Sequence, residues 1–252
     1  MLRALIFDVD GTLADTERDG HRVAFNRAFA DAGLDWHWDV ARYGELLRVT
    51  GGRERILHFI DSEAAHIAPG EEREALARAL HAQKTTHYLR MVDEGAVRLR
   101  PGIARLLSEA HAAGLTLAIA TTTSRANIAA LLAHALPPGA LGWFPVIGAA
   151  EDAPRKKPDP QVYEFVLDQL GFAADECLAI EDSAAGLQAA TAAGLRTVVT
   201  TNDYTRDQDF SGALTVLSDL GENDAPARVL AGASAVSDVV DVAQLQAWHA
   251  RG

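Results

Sequence analysis

The chain has 252 residues and a formal net charge of −12, and 48% of its residues are hydrophobic. That size admits one large domain, or a core with an accessory domain, around a sizeable apolar interior. The acidic balance argues against nucleic acid and anionic membrane surfaces as partners, because both are gripped through clustered Lys and Arg. Small phosphorylated ligands stay open if a few cations or a metal ion are placed locally.

Cys177 is the only cysteine, so no intrachain disulfide can form, which fits a reducing compartment. The N-terminus enters a strand-like run directly, without the basic and apolar regions of a signal peptide. No apolar run reaches the ~18 residues of a membrane span. The expectation is a cytoplasmic protein.

In chain order, Leu2 to Val9 reads as the first buried strand. From Asp15 to Arg98 no buried strand is visible. That stretch reads as helices at about Glu17 to Ala32, Trp38 to Val49, Arg53 to Ala65 and Glu71 to Val92. Phe25, Phe29 and Ala32 give the first of these an apolar face. From Pro101 a helix carries Ile103, Leu106, Leu107 and Ala110 on one side and ends before Gly114. Strands follow at Leu115 to Ala120, Phe144 to Ile147, Leu178 to Ile180, Thr197 to Val199 and Leu214 to Leu217. Helices at about Pro160 to Leu170 and Ser183 to Ala193 lie between them, and Val239 to Trp248 reads as a terminal helix.

The strand runs are continuous rather than alternating, as in a sheet covered on both faces. The pattern predicts an α/β fold: a doubly wound, Rossmann-like parallel sheet core with an inserted all-helical cap domain. The core takes residues 1–14 and 99–252, and the cap takes 15–98. The ends of the insert must then meet at the carboxyl edge of the first strand, where open α/β sheets bind ligands.

Chemistry-bearing residues gather at predicted strand ends. Asp8 and Asp10 close the first strand, with Gly11 allowing a sharp exit. One carboxylate can act as a nucleophile and the other as a proton donor and acceptor. The plain alternative is an acidic Asp-Gly turn. Thr121, Thr122 and Thr123 end the second strand, where hydroxyls and backbone N–H groups can hold phosphate; helix capping by Thr or Ser is the alternative. Lys157, fixed beside Pro158, can neutralise a phosphate and a carboxylate together, or belong to a basic surface loop. Glu181 and Asp182 can join Asp8 and the Asp10 carbonyl around a hard divalent cation, unless Asp182 or Ser183 only caps the next helix. A parallel sheet would bring all four groups to one edge, and a cation would compensate the crowded carboxylates.

Asp8-Val9-Asp10-Gly11-Thr12-Leu13, Thr121, Lys157-Pro158 and Glu181-Asp182 stand in the order and context of the haloacid dehalogenase (HAD) superfamily, which the chain resembles over about residues 2 to 200. The helical insert resembles the cap of the β-phosphoglucomutase-like branch. Asp15-Thr16-Glu17, His21, Tyr43-Gly44-Glu45, Thr50-Gly51-Gly52-Arg53, Lys84, Arg100-Pro101-Gly102 and Asn202-Asp203-Tyr204-Thr205 are similar to the CbbY group. These are sugar-bisphosphate phosphatases acting on xylulose-1,5-bisphosphate, a Calvin-cycle misfire product that inhibits Rubisco.

The resemblance implies a Mg²⁺-dependent phosphatase with a small-molecule sugar phosphate substrate, and the chain is expected to be a monomer. Asp8 would be the nucleophile and Asp10 the general acid and base, with Thr121 and Lys157 on the transferring phosphoryl. Asp8, the Asp10 carbonyl and Asp182 would hold Mg²⁺, with Glu181 binding it directly or from one layer further out. Glu17, His21, Arg53 and Lys84 would handle the rest of the substrate, with Tyr43 and Arg48 as further candidates. The chain has one more residue between Asp15-Thr16 and the histidine than the mutase pattern does.

From the residues alone, Glu17 and His21 share a helix face and could be a surface ion pair. Arg53 follows two glycines and could grip a second phosphate, while a solvated helix face is the alternative for Arg53 and Lys84. The competing functions are a phosphosugar mutase, a non-catalytic phosphosugar-binding regulator and a dehalogenase of small acids.

Overall fold

The computed structural model describes residues 1–67, 71–232 and 238–251. It divides into two compact units, Met1–Asp15 with Arg98–Gly252, and Thr16–Val97.

The first unit is built on a sheet of β1 (Ala4–Phe7), β2 (Thr116–Ala120), β3 (Val146–Gly148), β4 (Cys177–Glu181), β5 (Arg196–Thr200), β6 (Thr215–Leu217) and β7 (Val229–Gly232). The order is β3-β2-β1-β4-β5-β6-β7, parallel throughout except for the last pair. β1 and β4 are buried at every position, which explains their unbroken apolar sequences. Phe7 is in register with Ile119 on one side and Ile180 on the other. The residues that follow, Asp8, Ala120 and Glu181, therefore emerge side by side. The strand order reverses between β1 and β4, which is where doubly wound sheets open a ligand crevice.

Flanking this sheet are helices α5 (Ile103–Ala112), α6 (Arg125–Ala135), α7 (Gln161–Leu170), α8 (Ala184–Ala192) and α9 (Val242–Arg251), numbered after the helical unit's four. Small strand residues Ala4, Ala118 and Ala179 let Val162, Val166 and Ala190 of α7 and α8 pack closely onto the sheet. Among the described α-helices and strands of this unit, two have no counterpart in the sequence reading. In α6, Ile128, Leu131 and Leu132 are buried at helical spacing, but the alanines between them dilute the stripe. β7 is an antiparallel edge strand with Leu230 exposed, so it lacks the buried run that marks the other strands.

The second unit holds α1 (Arg22–Asp31), α2 (Val40–Leu46), α3 (Gly52–Glu63) and α4 (Glu71–Asp93). A π-helical turn at Glu17–His21 leads into α1. The unit's core is aromatic: Phe25, Phe29, Trp38 and Phe59 pack with ring centroids 4.8 to 6.1 Å apart. Ala32, expected on the apolar face of the first helix, lies past its end and is exposed. No helix among the described residues is long and apolar enough to cross a membrane.

Candidate active site

Asp8 follows β1 and is buried, with its backbone N–H donating to Ile180 O at 3.0 Å. Lys157, from the loop before α7, is also buried. Its Nζ donates to Asp8 Oδ1 at 2.7 Å, Glu181 Oε1 at 2.5 Å and Ala120 O at 2.9 Å. One ammonium thus joins the ends of three neighbouring strands, β1, β2 and β4. Lys156 is only half-buried, so the fold turns Lys157 inward.

Glu181 is fully buried and well occupied. Its Oε1 also accepts the Tyr163 hydroxyl at 2.5 Å, and its Oε2 accepts the Asp182 backbone N–H at 3.2 Å. Gly186 of α8 packs against this carboxylate, and a Cβ there would collide with it. Glu181 is therefore held as an anchor for Lys157. Tyr163 gives no signal in the sequence beyond being a buried phenol in need of a partner.

Asp182 is aimed differently. Thr12 Oγ1 donates to its Oδ1 at 3.3 Å and Asn202 Nδ2 to its Oδ2 at 2.6 Å. It does not cap α8: Ser183 does, its Oγ accepting from Gly186 N at 3.1 Å. Ser124 likewise caps α6, which leaves buried Thr121 and half-buried Thr122 and Thr123 at the end of β2. Asp10 sits half-buried in the turn that closes by Gly11 N to Ala14 O at 2.8 Å. Gly11 has φ of +84°, and a side chain there would press on Asp182 and Asn202.

Asp8, Glu181 and Asp182 each offer a carboxylate oxygen, all lying within 4.8 Å of one another. Burial pushes Asp8 up to about 7 against the pull of Lys157, and the charges of Glu181 and Asp10 push the same way. Burial, then Asp8 and Glu181, raise Asp182 well above the usual carboxylate range, with Arg100 and Asn202 opposing. Burial alone would lower Lys157, but Asp8 and Glu181 outweigh it and hold the ammonium charged. One lysine does not neutralise three buried carboxylates. An all-oxygen, acidic donor set of this kind fits a hard divalent cation such as Mg²⁺.

The helical unit has its own buried polar set. Glu17 Oε2 accepts the Tyr43 hydroxyl at 2.5 Å, and Arg55 Nη1 donates to Tyr43 Oη at 2.8 Å. Lys84 Nζ lies 2.9 Å from His21 Nδ1, and the His21 ring packs on Tyr88 at 4.1 Å. Glu17 and His21, read as a possible surface pair, thus face Tyr43 and Lys84. Arg48 and Arg53 are exposed, Arg53 lying 3.5 Å from Glu54, and the arginine turned inward is Arg55. The π turn takes up five residues, which absorbs the extra residue ahead of His21.

Residues 2–194 match the family model described as haloacid dehalogenase-like hydrolase. The chain belongs to the haloacid dehalogenase-like hydrolases. This HAD-like hydrolase is 50% identical to Protein CbbY, plasmid, of Cupriavidus necator, over 98% of its own length and 97% of that protein. It is similar to a crystal structure of CbbY from Rhodobacter sphaeroides in complex with phosphate, at 44% identity and a TM-score of 0.79, covering 87% of this chain and 95% of that one. A mutant of that CbbY, crystallised with xylulose-(1,5)bisphosphate, matches at 43% identity and the same TM-score, over 87% of this chain and 95% of that one. This HAD-like hydrolase is a phosphatase.

The carboxylate crowding predicts a pH signature in the metal-free protein. Asp8 ionises near 7 when folded and near 3.8 when free, so the folded state binds the extra proton between those values. The favourable contribution is complete below about 3.8 and is lost as pH rises through about 7; Asp182 acts in the same direction. Melting in EDTA should fall by about 5 °C or more, relative to melting in Mg²⁺, between pH 5 and pH 8. Scanning calorimetry checks this, and parallel curves with and without Mg²⁺ would contradict it.

Proposed function

We propose that this phosphatase is a Mg²⁺-dependent sugar-bisphosphate phosphatase acting through a phosphoaspartate on Asp8, with xylulose-1,5-bisphosphate as its substrate. The observation that carries the reading is the Lys157 ammonium shared between Asp8 and Glu181, with Asp182 turned toward the same cluster. The identity to CbbY, and the sugar bisphosphate crystallised with one such protein, support the substrate class.

In this reading a carboxylate oxygen of Asp8 attacks phosphorus as the bond from phosphorus to the sugar oxygen breaks. Asp10 gives its proton to the departing oxygen. Water then attacks the phosphoaspartate, Asp10 takes the water's proton, and the bond to Asp8 breaks to release inorganic phosphate. Lys157 and Thr121 stabilise charge on the phosphoryl oxygens. Asp8, the Asp10 carbonyl and Asp182 would hold Mg²⁺, while Glu181, its oxygens already engaged, keeps Lys157 in place. When bound, Mg²⁺ would supply positive charge that neutralises the carboxylates and polarises the phosphoryl group. Arg53, Lys84, Glu17, His21, Tyr43 and Arg48 are the proposed contacts to the remainder of the substrate.

The test is phosphate release across sugar mono- and bisphosphates, with and without Mg²⁺. Xylulose-1,5-bisphosphate should exceed the monophosphates in kcat/KM by about tenfold or more, a preference reduced in Arg53→Ala and Lys84→Ala. Equal kcat/KM for both classes, unchanged in those variants, would remove the bisphosphate assignment. An isomeric sugar phosphate in place of inorganic phosphate would reassign the chain as a mutase.

A further inference from the structure

The residues around Gly11 carry a second layer of organisation. Arg100 is buried, yet its guanidinium mainly collects backbone carbonyls. Nη1 donates to Gly11 O at 2.6 Å, Thr200 O at 3.0 Å and Thr200 Oγ1 at 3.0 Å. Nη2 donates to Thr201 O at 2.5 Å and Ser218 O at 3.0 Å, and Nε faces Asp15 Oδ1 at 3.3 Å. The turn after β1 is thereby tied to the ends of β5 and β6. A planar fork with several donors can bridge acceptors spread this way, whereas a lysine offers one nitrogen.

Asn202, just beyond β5, reaches the same carbonyl. Its Nδ2 lies 3.4 Å from Gly11 O while donating to Asp182 Oδ2 at 2.6 Å. Asn202 is itself fixed: its N–H donates to Thr205 Oγ1 at 3.0 Å and its Oδ1 accepts from Tyr204 N at 2.9 Å. Thr12, next along the turn, donates to the other Asp182 oxygen. Neither Arg100 nor Asn202 donates a hydrogen bond to Asp8.

We propose that Arg100 and Asn202 are paired positioning residues, which grip the Gly11 carbonyl from two sides so that the Asp10 turn and the Asp182 carboxylate keep one fixed relation. The kinetic part of this proposal rests on the phosphatase reading above. The pair acts through the turn and through Asp182, so its loss should be felt in turnover and metal affinity more than in substrate capture.

The experiment compares Asn202→Ala, Arg100→Lys and the double variant with wild type. Three readouts are taken: steady-state kinetics on a sugar bisphosphate, the Mg²⁺ concentration giving half-maximal thermal stabilisation without substrate, and amide exchange of a peptide spanning residues 9–14. In each single variant kcat should fall about tenfold or more, with KM within about threefold of wild type. The Mg²⁺ midpoint should rise about tenfold. Exchange in the turn should accelerate. The double variant should lose less than the product of the single losses, because both act on one carbonyl. Folded variants that melt earlier but keep wild-type kcat, Mg²⁺ midpoint and turn exchange would overturn the proposal, since a merely structural role predicts that result. If Arg100→Lys does not fold, Asn202→Ala decides alone. If wild type releases no phosphate from any sugar phosphate, the phosphatase reading falls, and the positioning role is judged by the Mg²⁺ midpoint and the exchange, both read without substrate.

Discussion

Asp8→Asn should abolish phosphate release, lowering kcat by on the order of 10⁴-fold or more, because the amide cannot form the acyl phosphate. The same substitution should not weaken the fold at pH 8. Asp8 is buried beside Glu181 and Asp182, and burial makes its ionised form costly. A neutral amide of the same shape removes that cost, and Lys157 keeps Glu181 at 2.5 Å as a counter-charge. Metal-free Asp8→Asn is therefore expected to melt at or above wild type at pH 8, the trade of stability for activity common at reactive sites. Near-normal Mg²⁺-dependent phosphate release by this variant would exclude the proposed mechanism. A melting point well below wild type at pH 8 would show that the Asp8 pairing with Lys157 outweighs the crowding.

Removing Lys157 should be costly in both respects. Lys157→Met leaves Asp8 and Glu181 buried without their shared cation, and among the described residues Tyr163 and the Asp182 N–H remain as donors to Glu181. Breaking a buried ion pair from one side costs about 3–5 kcal/mol. Turnover should fall by about 10²-fold or more, since a charge aimed at the phosphoryl oxygens is lost. Asp8, which burial already pushes up to about 7, can take up a proton at low pH, so the stability deficit should be smaller at pH 5 than at pH 8. Urea denaturation at the two pH values measures this. A deficit independent of pH would mean that lost packing, and not exposed charge, governs the variant.

The strands of the sheet were legible because parallel strands buried on both faces write continuous apolar runs, as in Leu5-Ile6-Phe7 and Leu178-Ala179-Ile180. Carboxylates at the ends of such runs stand out as soon as the strands are placed side by side. β7 was not legible, because an edge strand with an exposed Leu230 has no buried face to record. In α6 the helical stripe is present but softened by alanine. The supporting partners at the candidate site were harder still. Tyr163, Asn202 and Arg100 act through contacts that exist only once distant segments are packed. Arg55 was overshadowed by Arg53, which follows the glycines and draws attention, while Arg55, two residues further along α3, is the one buried.

The π turn at Glu17–His21 has a consequence for how this part of the chain tolerates change. A wide turn of this kind holds one residue more than an α-helical turn, so losing one residue here is expected to return Glu17–His21 to ordinary α-helix with its two ends in phase. His21, which leads directly into α1, would keep its phase with Lys84. Glu17, on the far side of the wide turn, would likewise stay in line with Tyr43. A single deletion within the turn should thus leave both halves of this polar set and the aromatic core in place, which makes the wide turn a point where chain length can drift without cost to recognition.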